Sequence, residues 1–383
     1  MGTRAGAGIS YGDLGVDAFA KAAARAARPL GRRPADLALV FAGPANLEHA
    51  EEGLAAVRER LRPGALAGCG AQGVLGAGRE IEAGGVCVWA AAFEVGEAEP
   101  FHAEALDTDD AVTVAGMPDL HGADAAILLA DPFTFPAEPL LGALADEHPG
   151  VPVVGGIASG GPGPAALLCE EGPVAGGAVG AVLRGVELHP CVSQGARPVG
   201  PEMVVTGAEE NVIHELASQP ALERIKQAIG ELDAHERALA GAGLLLGIVV
   251  DPNKPEYERG DFLVRGLVGV EEDTGALAVA AGVHVGQAVR MHVRDAASAH
   301  EDLLHALDRE AESLEGPPAG ALLFTCNGRG EGMFGVPDHD ARAVAEAFAN
   351  APTGGFFCAG EIGPVGGRSF VHGFTATVAA FPA

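Results

Sequence analysis

Basic residues are scarce in this sequence. Lys and Arg total 24 against 52 Asp and Glu over 383 residues, a formal net charge of −28. Lysine stands only at Lys21, Lys226 and Lys254, and the arginines are scattered with no local basic patch. Such an acidic surface repels phosphate backbones and anionic lipid, so neither nucleic acid nor a membrane is an expected partner. Long hydrophobic runs are missing as well. The apolar stretches at 178–183 and 244–250 are far too short to span a bilayer. The N-terminal segment MGTRAGAGISYGDLG has no apolar stretch of signal-peptide length, and Gly6 occupies the place where a myristoylation match needs Ser or Thr. A soluble, cytoplasmic protein is the expectation. Cys69, Cys87, Cys169, Cys191, Cys326 and Cys358 form no Cys-x-x-Cys pair and no zinc spacing, and the histidines show no i, i+4 pairing. They read as reduced, mostly buried thiols. No metal and no cofactor are expected.

What is present is core-forming material: 48% hydrophobic and 20% charged residues, enough for two or three domains. DLGVDAFAKAAARAARPL predicts a first helix, capped by Asp13 and ended near Gly31. DLALVFAG then reads as a buried strand, LEHAEEGLAAVRERLRPG as an amphipathic helix, ALAGCGAQGVLG as a short strand with a glycine-rich turn, and GGVCVWAAAF as a closing strand. The same order returns in DAAILLADP, PLLGALADEHPG, VPVVGGIASGG and GGAVGAVLRG. It returns again in GALLFTCNGRG, DARAVAEAFANAP, GGFFCAGEIGPVGG and HGFTATVAAF. Three related units of about sixty residues are therefore expected.

Between the second and third units, SQPALERIKQAIGELDAHERAL predicts one helix with Leu222, Ile225, Ile229 and Leu232 on a face and Ser218 as its cap. Short strands with turn chemistry follow it, and then a helix opened by the capping box Ser298-Ala-His-Glu301. The fold class is α/β: two domains, 1–220 and 221–383, with mixed β-sheets flanked by helices and built from related strand–helix–strand–strand units.

The loop TCNGRGEGMFG (325–335) concentrates a thiol, an amide, an arginine and four glycines at a strand end. It is not a P-loop, because no Lys-Ser or Lys-Thr follows its glycines. Nor is it a dinucleotide fingerprint: the third glycine position is Met333, or Ile81 when counted from Gly76 and Gly78. Two readings remain. In the first, Cys326, Asn327, Gly328, Arg329 and Gly330, with Glu361, Arg265 and His372, line a ligand site. Arg265, Arg329 and Arg368 would suit a carboxylate, Glu361 an ammonium group, and the loop N–H groups an anion. In the second, Cys326 is a nucleophile whose thiol Arg329 acidifies, with His372 as base and Glu361 as its orienter, as in a thiol-dependent hydrolase or acyl transferase. Against both stands the plainer possibility that Arg329 and Glu361 form a salt bridge pinning a loop.

The residues resemble the FIST family. YERGDFLVRGLVGVEEDTGALAVAAGVHVGQAV, RDAASAHEDL, GALLFTCNGRG and GFFCAGEIGPVGG…VHGFTATVAAF are similar to its C-terminal domain. LAGCGAQGVL, VPVVGGIASGG and CVSQGARPVGPEMVVTGAEENVIHEL are similar to its N-terminal domain. The resemblance covers nearly the whole chain. It implies a sensory module in signal transduction that binds a small ligand, an amino acid or related metabolite, and is more in keeping with a binding protein than an enzyme. No kinase, cyclase or chemoreceptor segment follows Ala383, so the implied output is a separate signalling partner protein.

Overall fold

The computed structural model describes residues 2–107, 112–161 and 166–383, which form two compact units. The first takes the chain up to Val192 together with Leu303–Ala383, and the second is Ser193–Asp302.

The first unit contains three repeats. Each has an opening strand, a helix, a middle strand parallel to the opening one, a hairpin, and a closing strand that returns antiparallel beside the opening strand. In order, the opening strands are Leu37–Ala42, Ala125–Ala130 and Gly320–Cys326, and the middle strands Ala65–Gly70, Val153–Ile157 and Thr353–Cys358. The closing strands are Val86–Ala92, Ala178–Arg184 and Thr375–Phe381. The helices between opening and middle strands are Ala50–Leu61, Ala137–Glu147 and His339–Ala347. A further strand flanks each closing strand: Arg4–Ser10, Glu97–Asp107 and His189–Gln194. The result is three mixed sheets that share a six-strand topology, the second extended by the strand Val112–Ala115.

No hairpin stays in its own sheet. The first (Val74–Gly76 with Arg79–Ile81) adds to the middle strand of the third repeat, Gly355 opposite Leu75. The second (Leu167–Cys169 with Gly172–Val174) adds to the middle strand of the first, Gly68 opposite Leu168. The third (Gly360–Val365 with Arg368–His372) adds to the middle strand of the second, Gly155 opposite Ile362. The exchange is cyclic and leaves no repeat complete by itself.

Packing explains why the strands read as continuous apolar runs and not as alternating ones. Each sheet is covered on both faces, which demands apolar side chains on both. One face enters a common core holding Phe41, Trp89, Ile127, Leu129, Phe324 and Phe356 from all three repeats, with Phe41 stacked on Phe356 at 4.8 Å. Burial of an aromatic such as Phe41 contributes about 2–3 kcal/mol. The other face lies under helices, as where Leu54 and Val57 of Ala50–Leu61 meet Val40 and Val88. A glycine recurs at one register position of every middle strand. A Cβ on Gly68, Gly155 or Gly355 would lie 2.0, 2.0 or 1.7 Å from the carbonyl oxygen of Val40, Leu128 or Leu323. Nothing larger fits.

In the second unit, the strands run in the order Ala196–Glu209, Ala288–Arg294, Leu244–Val249, Phe262–Glu271, Ala276–Val279, Val212–Leu216 and Gln219–Pro220. Ala196–Glu209 also pairs with Val212–Leu216, which closes the sheet on itself. Bulges at Val199/Glu202 and Leu267/Gly269 accompany the closure. The long helix expected after Ser218 is two, Ala221–Glu231 and Ala234–Ala242. Asp233 accepts from the Glu236 amide at 2.8 Å and starts the second with a capping box. Ser218 caps neither: it holds φ +61°, and Pro220 stands at the helix start. Asp13 likewise lies outside the first helix, Val16–Leu30, and pairs with Ser10 and Lys21. Among the described residues no helix is long and apolar enough to cross a membrane.

Candidate functional site

Cys326 ends the opening strand of the third repeat and lies in register with Cys358 at the end of the parallel middle strand. Carboxyl ends of adjacent parallel strands are where α/β folds present functional groups. The loop beyond is held by its own backbone. The amides of Asn327 and Arg329 donate to the carbonyls of Cys358 and Cys326, both at 2.9 Å, and the Gly328 amide points at Cys326 Sγ at 3.4 Å. These three N–H groups are engaged within the fold. Gly330 turns at φ +91°, and a Cβ there would sit 2.7 Å from the Glu82 carboxylate.

The turn directs Arg329 inward, where 2% of the residue remains exposed. Its Nε and Nη2 donate to the two carboxylate oxygens of Asp340 at 2.6 and 2.9 Å, and its guanidinium lies 5.0 Å from the Phe334 ring centre. Asp340 also accepts from Thr325 Oγ1 (2.6 Å) and contacts His339 Nδ1 (2.8 Å), whose ring stacks on Phe334. Although burial opposes ionisation, Arg329 and these hydrogen bonds hold Asp340 well below the usual carboxylate range. Nη1 of Arg329 is buried with no hydrogen-bond partner among the described residues.

The exchanged first hairpin fastens this corner. Glu80 accepts from the Ala341 amide (3.0 Å), and its own amide donates to Asp338 (2.8 Å). Glu82 accepts from the Glu331 amide (2.6 Å), and Arg79 pairs with Asp338 at 2.9 Å. Burial, reinforced by the Asp340 charge, pushes the Glu80 carboxyl up to about 7.

Glu361 begins the third hairpin opposite Gly156 and is fully buried. Counted from the recurrent glycine register, the same place in the other hairpins holds Val74 and Leu167, both in the common core. A carboxyl group therefore occupies a position that two repeats fill with aliphatic side chains. Its Oε2 accepts from the Thr375 amide (3.0 Å) and hydroxyl (2.8 Å). Its Oε1 has no hydrogen-bond partner of ordinary geometry among the described residues, and the Cys326 thiol is a weak donor beside it. Burial pushes the Glu361 carboxyl up to about 8, against the opposing pull of Thr375 and of the nearby Arg329 charge. Next to Thr375, Phe374 holds φ +65°, uncommon for an aromatic residue, and its amide points at the Cys326 sulfur.

Arg329 and Glu361 thus do not form the loop-pinning salt bridge considered from sequence. They are electrostatic neighbours, each with one buried polar atom left over. Nor is the thiol acidified. Burial first, and then the Glu361 charge, push Cys326 up to about 12, outweighing Gly328, Phe374 and Arg329. His372, opposite Glu361 in the hairpin, has Nε2 against the Gly363 carbonyl at 2.9 Å. Arg368 is half exposed and pairs with Asp146. Arg265 is buried in the second unit, on the strand Phe262–Glu271 opposite Leu246, with Nη1 donating to the Val264 carbonyl at 3.4 Å. Among the described residues no group of His, Cys, Asp and Glu is placed to hold a metal ion.

Several residues of this cluster carry no distinctive signal in sequence. Asp340 and His339 read as ordinary first-turn residues of an amphipathic helix, Thr325 and Thr375 as strand residues, and Glu80 as part of a turn. The alignable signal was the repeat itself, which shows Glu361 standing where Val74 and Leu167 stand.

Comparison with known proteins agrees with the motif resemblance. Residues 36–219 match the FIST N domain and residues 221–364 the FIST C domain. An uncharacterised protein of Mycobacterium tuberculosis is 41% identical over 382 residues, covering 99% of each chain. One of Mycobacterium bovis is 40% identical over 382 residues, covering 99% of this chain and 98% of its own. An F-box/LRR-repeat protein of Arabidopsis thaliana is 31% identical over 106 residues, 26% of this chain and 20% of that protein.

Proposed function

Because the chain belongs to the FIST family of sensory, ligand-binding domains, we propose that it is a sensor of small metabolites, amino acids among them, in signal transduction. The ligand is held at the cluster of Cys326, Arg329 and Glu361, and occupancy is read by a separate partner protein. One observation carries this reading. Two buried, ionisable side chains, electrostatic neighbours just beyond the parallel strand ends at Cys326 and Cys358, each leave one atom without a hydrogen bond among the described residues. An unmet buried polar atom costs about 1–3 kcal/mol, more for a charged group, and a ligand that supplies the missing partners recovers that cost. Position supports it too. Glu361 replaces an aliphatic core residue, a substitution that stability alone disfavours.

The test is thermal unfolding of the purified protein against a panel of amino acids and small carboxylic acids at millimolar concentration. A bound ligand raises the melting temperature by mass action, worth about 2.7 kcal/mol at a hundredfold excess over Kd. A panel that moves nothing, with native mass spectrometry finding no retained small molecule, ends the proposal.

A further inference from the structure

Resting on that ligand-site reading, we infer that the site receives an acceptor oxygen of its ligand, from a carboxylate or an amide carbonyl, with Glu361 protonated and donating to it. Glu361 is then not the counter-ion of an ammonium group, the role its charge alone would give it.

The hydrogen-bond inventory decides the matter. Oε2 already accepts from both the amide and the hydroxyl of Thr375, so a proton on Glu361 resides on Oε1. Oε1 has no partner of ordinary geometry among the described residues, with only the weakly bonding Cys326 thiol near the carboxyl. Nη1 of Arg329, the other unmet atom, can only donate. Two donors on electrostatically neighbouring side chains call for an acceptor. Charge balance agrees. Asp340 already neutralises Arg329 through a two-point contact, so an ionised Glu361 would be an uncompensated charge in a core position. Burial accordingly holds its carboxyl up to about 8. The hydrogen bond formed to an arriving carboxylate is charge-assisted, one of the stronger kinds available to a side chain.

Proton linkage gives this arrangement a sign of its own. An acceptor ligand binds the protonated form, so its affinity is flat below pH 8 and falls about tenfold per pH unit above it. Binding at pH 9 takes up close to one proton. An ammonium ligand needs the ionised form, so its affinity would climb with pH up to 8 and binding at pH 7 would release a proton.

The experiment has two arms, both on the full chain. First, infrared difference spectra between the native protein and Glu361→Gln are recorded at pH 6.5 and 9.5 without ligand. A protonated-carboxyl band assigned to Glu361 at pH 6.5 and lost at 9.5 is expected; its absence at 6.5 overturns the inference whatever binds. Second, propionate, propionamide and propylamine are titrated calorimetrically between pH 6.5 and 9.5 in two buffers of different ionisation enthalpy. Propionate or propionamide should bind with proton uptake and weaken above pH 8, and Glu361→Gln should flatten that dependence. The stronger of the two names the oxygen. Tighter binding of propylamine with proton release overturns the inference while leaving a ligand site in place. If none of the three binds at any pH and the metabolite panel is silent, the sensor reading falls with it.

Discussion

Arg329 closes its guanidinium on Asp340, at 2.6 and 2.9 Å, and leaves Glu361 to Thr375. The two acidic residues consequently do different work. Asp340 anchors the arginine and stays ionised, while Glu361 keeps an oxygen in reserve.

Breaking the anchored pair from one side should be expensive. Asp340→Asn or Arg329→Leu strands a buried charge, a loss of about 3–5 kcal/mol in urea unfolding. Replacing both at once with apolar residues should cost clearly less than the sum of the two single changes. Single variants that lose under about 1 kcal/mol would mean that the pair is not buried in solution.

Glu361 should make the protein less stable as pH rises. Its folded carboxyl sits near 8 against an ordinary value of 4.5, so the folded state binds the extra proton between those limits. The stabilising contribution is complete below about pH 4.5 and is lost as pH climbs through 8. Glu80, raised to about 7, adds the same sign over a narrower window. Glu361→Gln should therefore flatten the decline in unfolding free energy between pH 5 and 8, measured by denaturant titration at each pH. A decline equally steep in the variant would remove Glu361 as its source.

Cys326 should be slow to alkylate. Thiolate is the reactive species, and a thiol pushed to about 12 and only 9% exposed presents very little of it. Iodoacetamide at pH 7.5 should label Cys326 far more slowly in the native protein than in the urea-unfolded chain, followed by peptide mass spectrometry. Rapid stoichiometric labelling of the native protein would bring back the nucleophile reading.

The register glycines should tolerate no side chain. A methyl group on Gly68 or Gly355 collides with backbone and not with a movable side chain. Gly68→Ala and Gly355→Ala should each cost at least about 2 kcal/mol, at the upper end of overpacking penalties. Gly142→Ala, at a helical glycine with open space around it, is the control and should instead stabilise by about 0.5–1 kcal/mol.

Much of this fold was legible because its signals are local. Apolar runs such as LALVFA, AAILLA and GALLFTC, each followed by a helix and a glycine-rich turn, mark the repeats directly. The lead strand Arg4–Ser10 carries no such signal, since RAGAGIS offers alanine and glycine where a strand usually shows branched residues. The split of one expected helix at Leu232–Asp233 turned on a capping box hidden inside a helical pattern. For the site, the loop 326–330 and Glu361 stand out as chemistry-bearing residues among glycines. Their partners do not, because Asp340, Thr325 and Thr375 reach the cluster through side-chain pairings 11 to 15 residues apart, from one element to another, which follow no helix or strand period. Which hairpin joins which sheet is a long-range property, and no periodicity records it.

That cyclic exchange also bears on how the chain can be made. During synthesis, the middle strand of the second repeat waits for a hairpin near residue 361, and the first hairpin waits for a strand near residue 355. Until the chain has been made past those residues, both keep an unpaired, apolar strand edge in solvent. Such edges are templates for association with other chains. The first sheet, whose strands all lie before residue 175, can close early, whereas the second and third can close only once the third repeat has been made. A chain stalled between the second and third repeats exposes those two edges even though its first sheet has all its strands.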